Sequence, residues 1–273
     1  MICFIGIGKA GTQLANLAHE DNPNSELVTF DEKEASYIIP RFSTPEEYES
    51  KVKLPRTLTK AKEVIVFLSG SGDTTFITLR VLQKVSKKKI SVIYVRPFLK
   101  NLSETAKKKE KVIFGVLTHF ALSAKFKLYL YDSQKITDHV GSAPVLALYS
   151  KVNKYIVWSY TAYRALLSSE KIISYYEDPP EYAWILSIDL KQPESSEPVE
   201  SFDFKNPRGC NLLCVVPEKT LQEDETLLPS IETEKHSYET DITRSTYSII
   251  KTENQEMYTI IEKFTNYPQY TNI

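Results

Sequence analysis

The chain has 273 residues, 42% of them apolar and 25% charged, the make-up of a folded protein with a core rather than a disordered chain. Lys and Arg total 34 and Asp and Glu 35, a net charge of -1, so the basic excess of a general nucleic-acid coat is missing and no direct nucleic-acid partner is expected. No apolar run approaches the roughly 18 residues of a membrane span, the start shows no secretory-signal pattern, and three cysteines form no disulfide framework; the expected setting is a reducing cytoplasm, with no membrane partner.

Along the chain, strand and helix patterns alternate. Ile2–Ile5 is a short apolar run ending at Gly6, and Ala10, Leu14, Leu17 and Ala18 follow at helical spacing. Leu27–Phe30, Val64–Leu68, Ile90–Val95 and Phe126–Tyr131 read as further strands, with helices over Thr75–Val85 and Glu104–Ala124 between them. Strands apolar on nearly every residue and alternating with helices predict a parallel sheet covered on both faces. A long helical pattern runs from Pro144 to Ile173. Lys191–Phe204, rich in Pro, Ser and Glu, reads as a linker, and Cys210–Val216 as a strand. Leu221–Asp241 reads as a charged helix interrupted at Pro229. Thr246–Lys251 and Met257–Glu262 flank a polar turn and predict an antiparallel hairpin. The expected organisation is a nucleotide-binding α/β domain over 1–143, a central helix over 144–176 and a smaller α+β domain over 177–273.

Glycine is scarce, 8 in the chain, and five of the eight fall in two loops. Gly6-Ile7-Gly8-Lys9-Ala10-Gly11-Thr12-Gln13 follows a strand and opens a helix, where free N–H groups and the positive end of the helix dipole favour phosphate. It fits G-x-G-x-x-G, and Asp31 stands at the end of the next strand, as in a dinucleotide fingerprint. An NAD(P)-dependent oxidoreductase is therefore one reading, and a tight strand–helix turn without a ligand another. Ser69-Gly70-Ser71-Gly72-Asp73-Thr74-Thr75 is the second loop. Its hydroxyls and backbone N–H groups can wrap phosphate oxygens. A dinucleotide enzyme has no need of such a loop here, whereas a triphosphate held from two sides does. Asp73 repels phosphate unless Mg²⁺ lies between.

The remaining candidates are bland. Four scattered histidines show no metal-ligand spacing, and His119 is expected to be a buried helix residue. Cys210 and Cys214 are expected to be core residues, and Trp158, Tyr160 and Tyr163 packing groups on the central helix rather than a base-stacking platform. The Lys87–Lys89 and Lys107–Lys109 runs read as solvated surface.

With these residues in view, the sequence resembles the tubulin/FtsZ superfamily. Gly8–Ala15 is similar to tubulin's first nucleotide loop, and Ser69–Thr75 to the superfamily's glycine-rich signature loop, although with fewer glycines. Ile90–Phe98 resembles the strand and Pro-Phe turn that follow it in FtsZ. Tyr129–Ile136 stands where the ribose- and base-contacting strand end falls, with Asp132 or Ser133 at the contact position and without the usual asparagine. Asn153 is similar to the asparagine that reads guanine from the central helix. Asp178-Pro179-Pro180-Glu181-Tyr182 resembles the acid pair that reaches the neighbouring subunit's nucleotide and activates water. Read without the resemblance, Asp178, Pro179 and Glu181 are a helix-starting capping box.

The resemblance implies a tubulin/FtsZ-like α/β fold and a divergent member of the kind encoded by phages and plasmids. It implies a filament former that binds GTP or GDP, with Mg²⁺ as a further cofactor and GTPase activity switched on by polymerisation. Gly8, Lys9, Ala10, Gln13, Asp31, Ser69, Gly70, Ser71, Gly72, Asp73, Thr74, Asp132 and Asn153 would hold the nucleotide. Asp178 and Glu181 would complete the site of the next copy, head to tail; the implied partners are copies of this chain and an adaptor protein. A degenerate, non-hydrolysing structural protein of the same fold is the third reading.

Overall fold

The computed structural model describes residues 1–124, 126–141, 143–169, 171, 173–174, 185–192, 198–204, 207–217, 219–220, 227, 230–231, 245–252 and 257–265. The chain divides into two compact units, Met1–Val157 and Trp158–Ile273.

In the first unit, β1 (Ile2–Ile7), β2 (Glu26–Asp31), β3 (Tyr37–Ile38), β4 (Glu63–Ser69), β5 (Lys89–Arg96) and β6 (Lys127–Asp132) make a parallel sheet in the order β3-β2-β1-β4-β5-β6. The predicted strands are all present; β1, β2, β4 and β5 are each two residues longer than expected, and β6 is shifted by one residue. Cys3–Ile7 and Val64–Leu68 are buried throughout, because helices cover both faces of such a sheet. The helices are α1 (Gly8–Glu20), α2 (Pro45–Lys51), α3 (Thr78–Lys84), α4 (Glu104–Ala124), α5 (Ser133–Val140) and the start of α6 (Val145–Ser168). Two are shorter than expected. A 3-10 turn over Asp73–Ile77 precedes α3, and α6 ends at Ser168 rather than Ile173, which lies in the two-residue strand β7 (Ile173–Ser174).

α2 was not among the predicted elements, although its signal is in the sequence. Thr44 accepts from the Glu47 N–H while the Glu47 carboxylate bonds the Thr44 N–H, and Pro45 stands at the first helical position. β3, α5 and β8 (Ile185–Lys191) were likewise not foreseen.

The second unit holds the order β8-β11-β9-β10-β7, with β9 (Gly209–Pro217), β10 (Ser245–Thr252) and β11 (Tyr258–Thr265). The predicted hairpin of β10 and β11 does not form. β9 lies between them, parallel to β10 and antiparallel to β11. β9 is buried over its whole length, and a strand with no solvent face is stabilised by partners on both sides. Part of the expected linker is packed: Val199 bridges Leu190, the Ser201 N–H donates to Asp189 Oδ1 at 2.7 Å, and Phe202 is buried. Most of the predicted helix over Leu221–Asp241 lies outside the described residues; Leu227 and Ile231 pack with Cys210, Cys214 and Tyr247 in this unit's core.

Tyr160 and Tyr163 are buried as expected. Trp158 is half-exposed, tilted against Tyr258 at 6.2 Å. His119 corrects its expectation: it is exposed, because α4 buries Ile113, Phe114, Leu117 and Ala121, a stripe at helical spacing that does not include it.

Candidate functional site

The two glycine loops meet at one cleft of about 660 Å³ at the C-terminal ends of β1 and β4. That is where open parallel sheets bind ligands. α1 begins against β1 with no side-chain spacer. A β-carbon on Gly6 would stand 2.6 Å from the Gly11 carbonyl oxygen, and one on Gly11 would collide with the Phe67 carbonyl of β4. Gly8 has φ +72°, a left-handed conformation that glycine adopts without strain. Ile7, the cap residue, gives no side-chain hydrogen bond, and the first turn of α1 carries no acid. The amides at this helix start are therefore available to an anion.

The second loop is closed by Thr75, whose N–H donates to the Gly72 carbonyl at 3.2 Å and whose hydroxyl donates to the same oxygen. Thr78 Oγ1 in turn donates to Thr75 O at 2.5 Å. Ser69, Ser71 and Gly72 face the cleft opposite α1. Gly70 faces the other way: a side chain there would meet the Tyr94 hydroxyl and Glu110.

The third wall comes from the first turns of α6. Asn153 Nδ2 donates to Gln13 Oε1 at 3.4 Å. Tyr149, one helical turn earlier, is 45% exposed and braced edge-on by Phe98 at 5.6 Å. An aromatic ring beside a carboxamide offers a stacking face and a donor–acceptor pair.

Of the sequence-predicted residues, Gly8, Lys9, Ala10, Gln13, Ser69, Ser71, Gly72 and Asn153 line this cleft together. Asp31, Gly70, Asp73, Thr74 and Asp132 do not. Asp31 uses its carbonyl to accept from the Ile39 N–H at 2.8 Å, holding β3. Thr74 is buried beneath the loop. Asp132 caps α5 by accepting from the Gln134 N–H at 2.8 Å and lies 3.7 Å from Arg96 Nη1. Burial raises its carboxyl above the ordinary range, against the Gln134 amide and the Arg96 charge, which pull it down. Asp178 and Glu181 lie outside the described residues.

Thr75 of the second loop also lines the cleft, as do Asn16, Leu17, Glu20, Tyr149 and Ser150, which the sequence reading did not single out. Lys9, Gln13, Asn16, Leu17 and Glu20 recur at helical spacing, so one face of α1 forms the wall, a signal that was available. For Mg²⁺, no three His, Cys, Asp or Glu among the described residues are grouped so as to hold a metal ion, and Asp73 is engaged by Lys109. They do not form a protein cage for that ion. Among the described residues, no helix is long and apolar enough to cross a membrane.

Solved structures identify this architecture. TubZ of Bacillus thuringiensis serovar israelensis, as a GTPγS-form protofilament, superposes with a TM-score of 0.69 at 12% identity, covering 97% of this chain and 86% of that one. CetZ from Methanosaeta thermophila gives 0.66 at 11% identity over 97% and 86%. CetZ2 from Haloferax volcanii, a GTPγS-bound protofilament, gives 0.64 at 10% identity over 96% and 92%. The chain has the tubulin/FtsZ fold. No protein-family model and no curated protein matches the sequence.

Proposed function

We propose that this protein is a tubulin-like filament former that binds GTP in the cleft between α1, the Ser69–Thr75 loop and the start of α6, and hydrolyses it on head-to-tail assembly. The observation that carries the reading is the convergence of three features on one cavity: an uncapped helix start, a hydroxyl-rich loop, and the Tyr149–Asn153 pair. The phosphates belong at the amides of Gly8–Gly11, with Lys9 as counter-charge and the hydroxyls of Ser69, Ser71 and Thr75 opposite. The base belongs on Tyr149, its edge read by the Asn153 carboxamide. TubZ and CetZ2, whose structures are GTPγS protofilaments, share the fold and support the reading. In it, Asp178 and Glu181 serve the neighbouring copy by orienting and deprotonating water.

The test is threefold. Mass analysis of nucleotide carried through purification should find GDP or GTP. Added GTP should raise the melting temperature by mass action, and NADH should not. Phosphate release per protein molecule should climb with protein concentration, together with light scattering. A response to NADH alone would make the chain a dinucleotide enzyme. Filaments, or monomers, indifferent to every nucleotide would make it a structural protein.

A further inference from the structure

The second loop places a carboxylate next to the proposed phosphates, and α4 supplies its counter-charge. Asp73 follows Gly72, which lines the cleft. Its Oδ1 is in an ion pair with Lys109 Nζ, both side chains being mostly buried, at 23% and 30% exposure. Neighbouring Glu110 is fully buried beneath the start of the same loop. Its Cγ stands 3.1 Å from where a β-carbon on Gly70 would be, and its Oε1 accepts from the Tyr94 hydroxyl at 2.8 Å and lies 3.6 Å from Arg96 Nε. Two consecutive residues of α4 thus hold the loop at both ends, one by charge and one by packing.

We infer that Lys109 is a positioning residue for polyphosphate binding: its ammonium cancels the Asp73 carboxylate and holds it off the cleft, so that the loop presents only hydroxyls and amides. The inference rests on the nucleotide reading above. Without Lys109, the Asp73 charge is left beside the anion, and the repulsion grows with each phosphate charge. The loss is therefore graded by phosphate number. A purely structural role for Lys109 would weaken every ligand equally. A Lys109 that gripped phosphate itself could not be replaced by neutralising Asp73.

Calorimetric titration of guanosine, GDP and GTP into the wild type, Lys109→Met, Asp73→Asn and the double variant separates these cases. Lys109→Met should lose about tenfold in GTP affinity, less for GDP and nothing for guanosine, with the loss shrinking as salt is raised. The double variant should recover to within about twofold of the wild type, as a coupled pair requires, and Lys109→Arg should keep the affinity. Equal losses for all three ligands, or no recovery in the double variant, would overturn the inference. Should Lys109→Met fail to fold, Asp73→Asn alone decides: it should bind GTP at least as tightly as the wild type, and weaker binding overturns the inference. Wild-type binding with an unaltered Lys109→Met sinks this inference alone; a wild type that binds none of the three ligands takes the nucleotide reading down with it.

Discussion

At the scale of single residues, the scarce glycines do different work. Gly8 supplies a backbone angle, whereas Gly11 and Gly70 supply the absence of a side chain. Gly70→Ala would drive a methyl group into the Tyr94 hydroxyl and Glu110, and overpacking of this kind costs about 1–3 kcal/mol. The melting temperature should fall accordingly, and under the nucleotide reading GTP binding should weaken with it. Cys3 is buried in β1, and that burial pushes its thiol up to about 11, with the Thr59 hydroxyl bond and the Lys88 charge opposing and Glu26 adding to the rise. A thiol held protonated is a poor nucleophile. A thiol reagent near pH 8 should leave Cys3 unmodified in the native protein and label it after denaturation. Asp132 gives a pH signature. Its folded value lies above its ordinary one, so between the two the native state binds more protons than the unfolded chain, and stability falls as pH rises through that window. Asp132→Asn keeps a capping oxygen for the Gln134 N–H, and its melting temperature should decline less from about pH 4 to about pH 7.

At the scale of elements, the first unit was legible and the second much less so. β1, β4, β5 and β6 are near-continuous apolar runs because both their faces are covered, and this pattern survives in the bare sequence. The misread pairing of β10 with β11 has a physical cause. Nearness in sequence favours a hairpin, but β9, distant along the chain, is buried on both faces and takes a ladder from each. The cleft residues on α1 follow helical spacing, so they could be read. The partnership of Asp73 with Lys109 spans 36 positions and left no local trace. In the second unit, Lys263 lies 2.9 Å from Asp189 and 3.3 Å from Glu200. Burial works to lower the lysine's pKa, but the Asp189 charge wins and holds it above the ordinary lysine range, while burial raises Asp189. Lys263→Met leaves Asp189 as an uncompensated buried charge. Such losses cost about 3–5 kcal/mol, which denaturant unfolding would register.

At the scale of the whole molecule, the near-zero net charge is a cancellation. Acidic residues outnumber basic ones two to one in Trp158–Ile273, and the basic excess lies in Met1–Val157. Reading the total alone hides this partition. Under the filament reading, Asp178→Ala or Glu181→Ala should leave GTP binding and assembly intact and slow phosphate release, because the acids act on a neighbour's nucleotide. Loss of assembly together with a lowered melting temperature would instead mark them as a helix cap.

The position of β11 bears on how the chain is made. It is the last described strand, yet it lies between β8 and β9 and pairs with both. While a ribosome is still extending the polypeptide, β8 and β9 have each been synthesised with that neighbouring ladder unfilled. The sheet of this unit closes only once Tyr258–Thr265 has left the exit tunnel, whereas the parallel sheet of the first unit has all its strands by Asp132 and is free to form first.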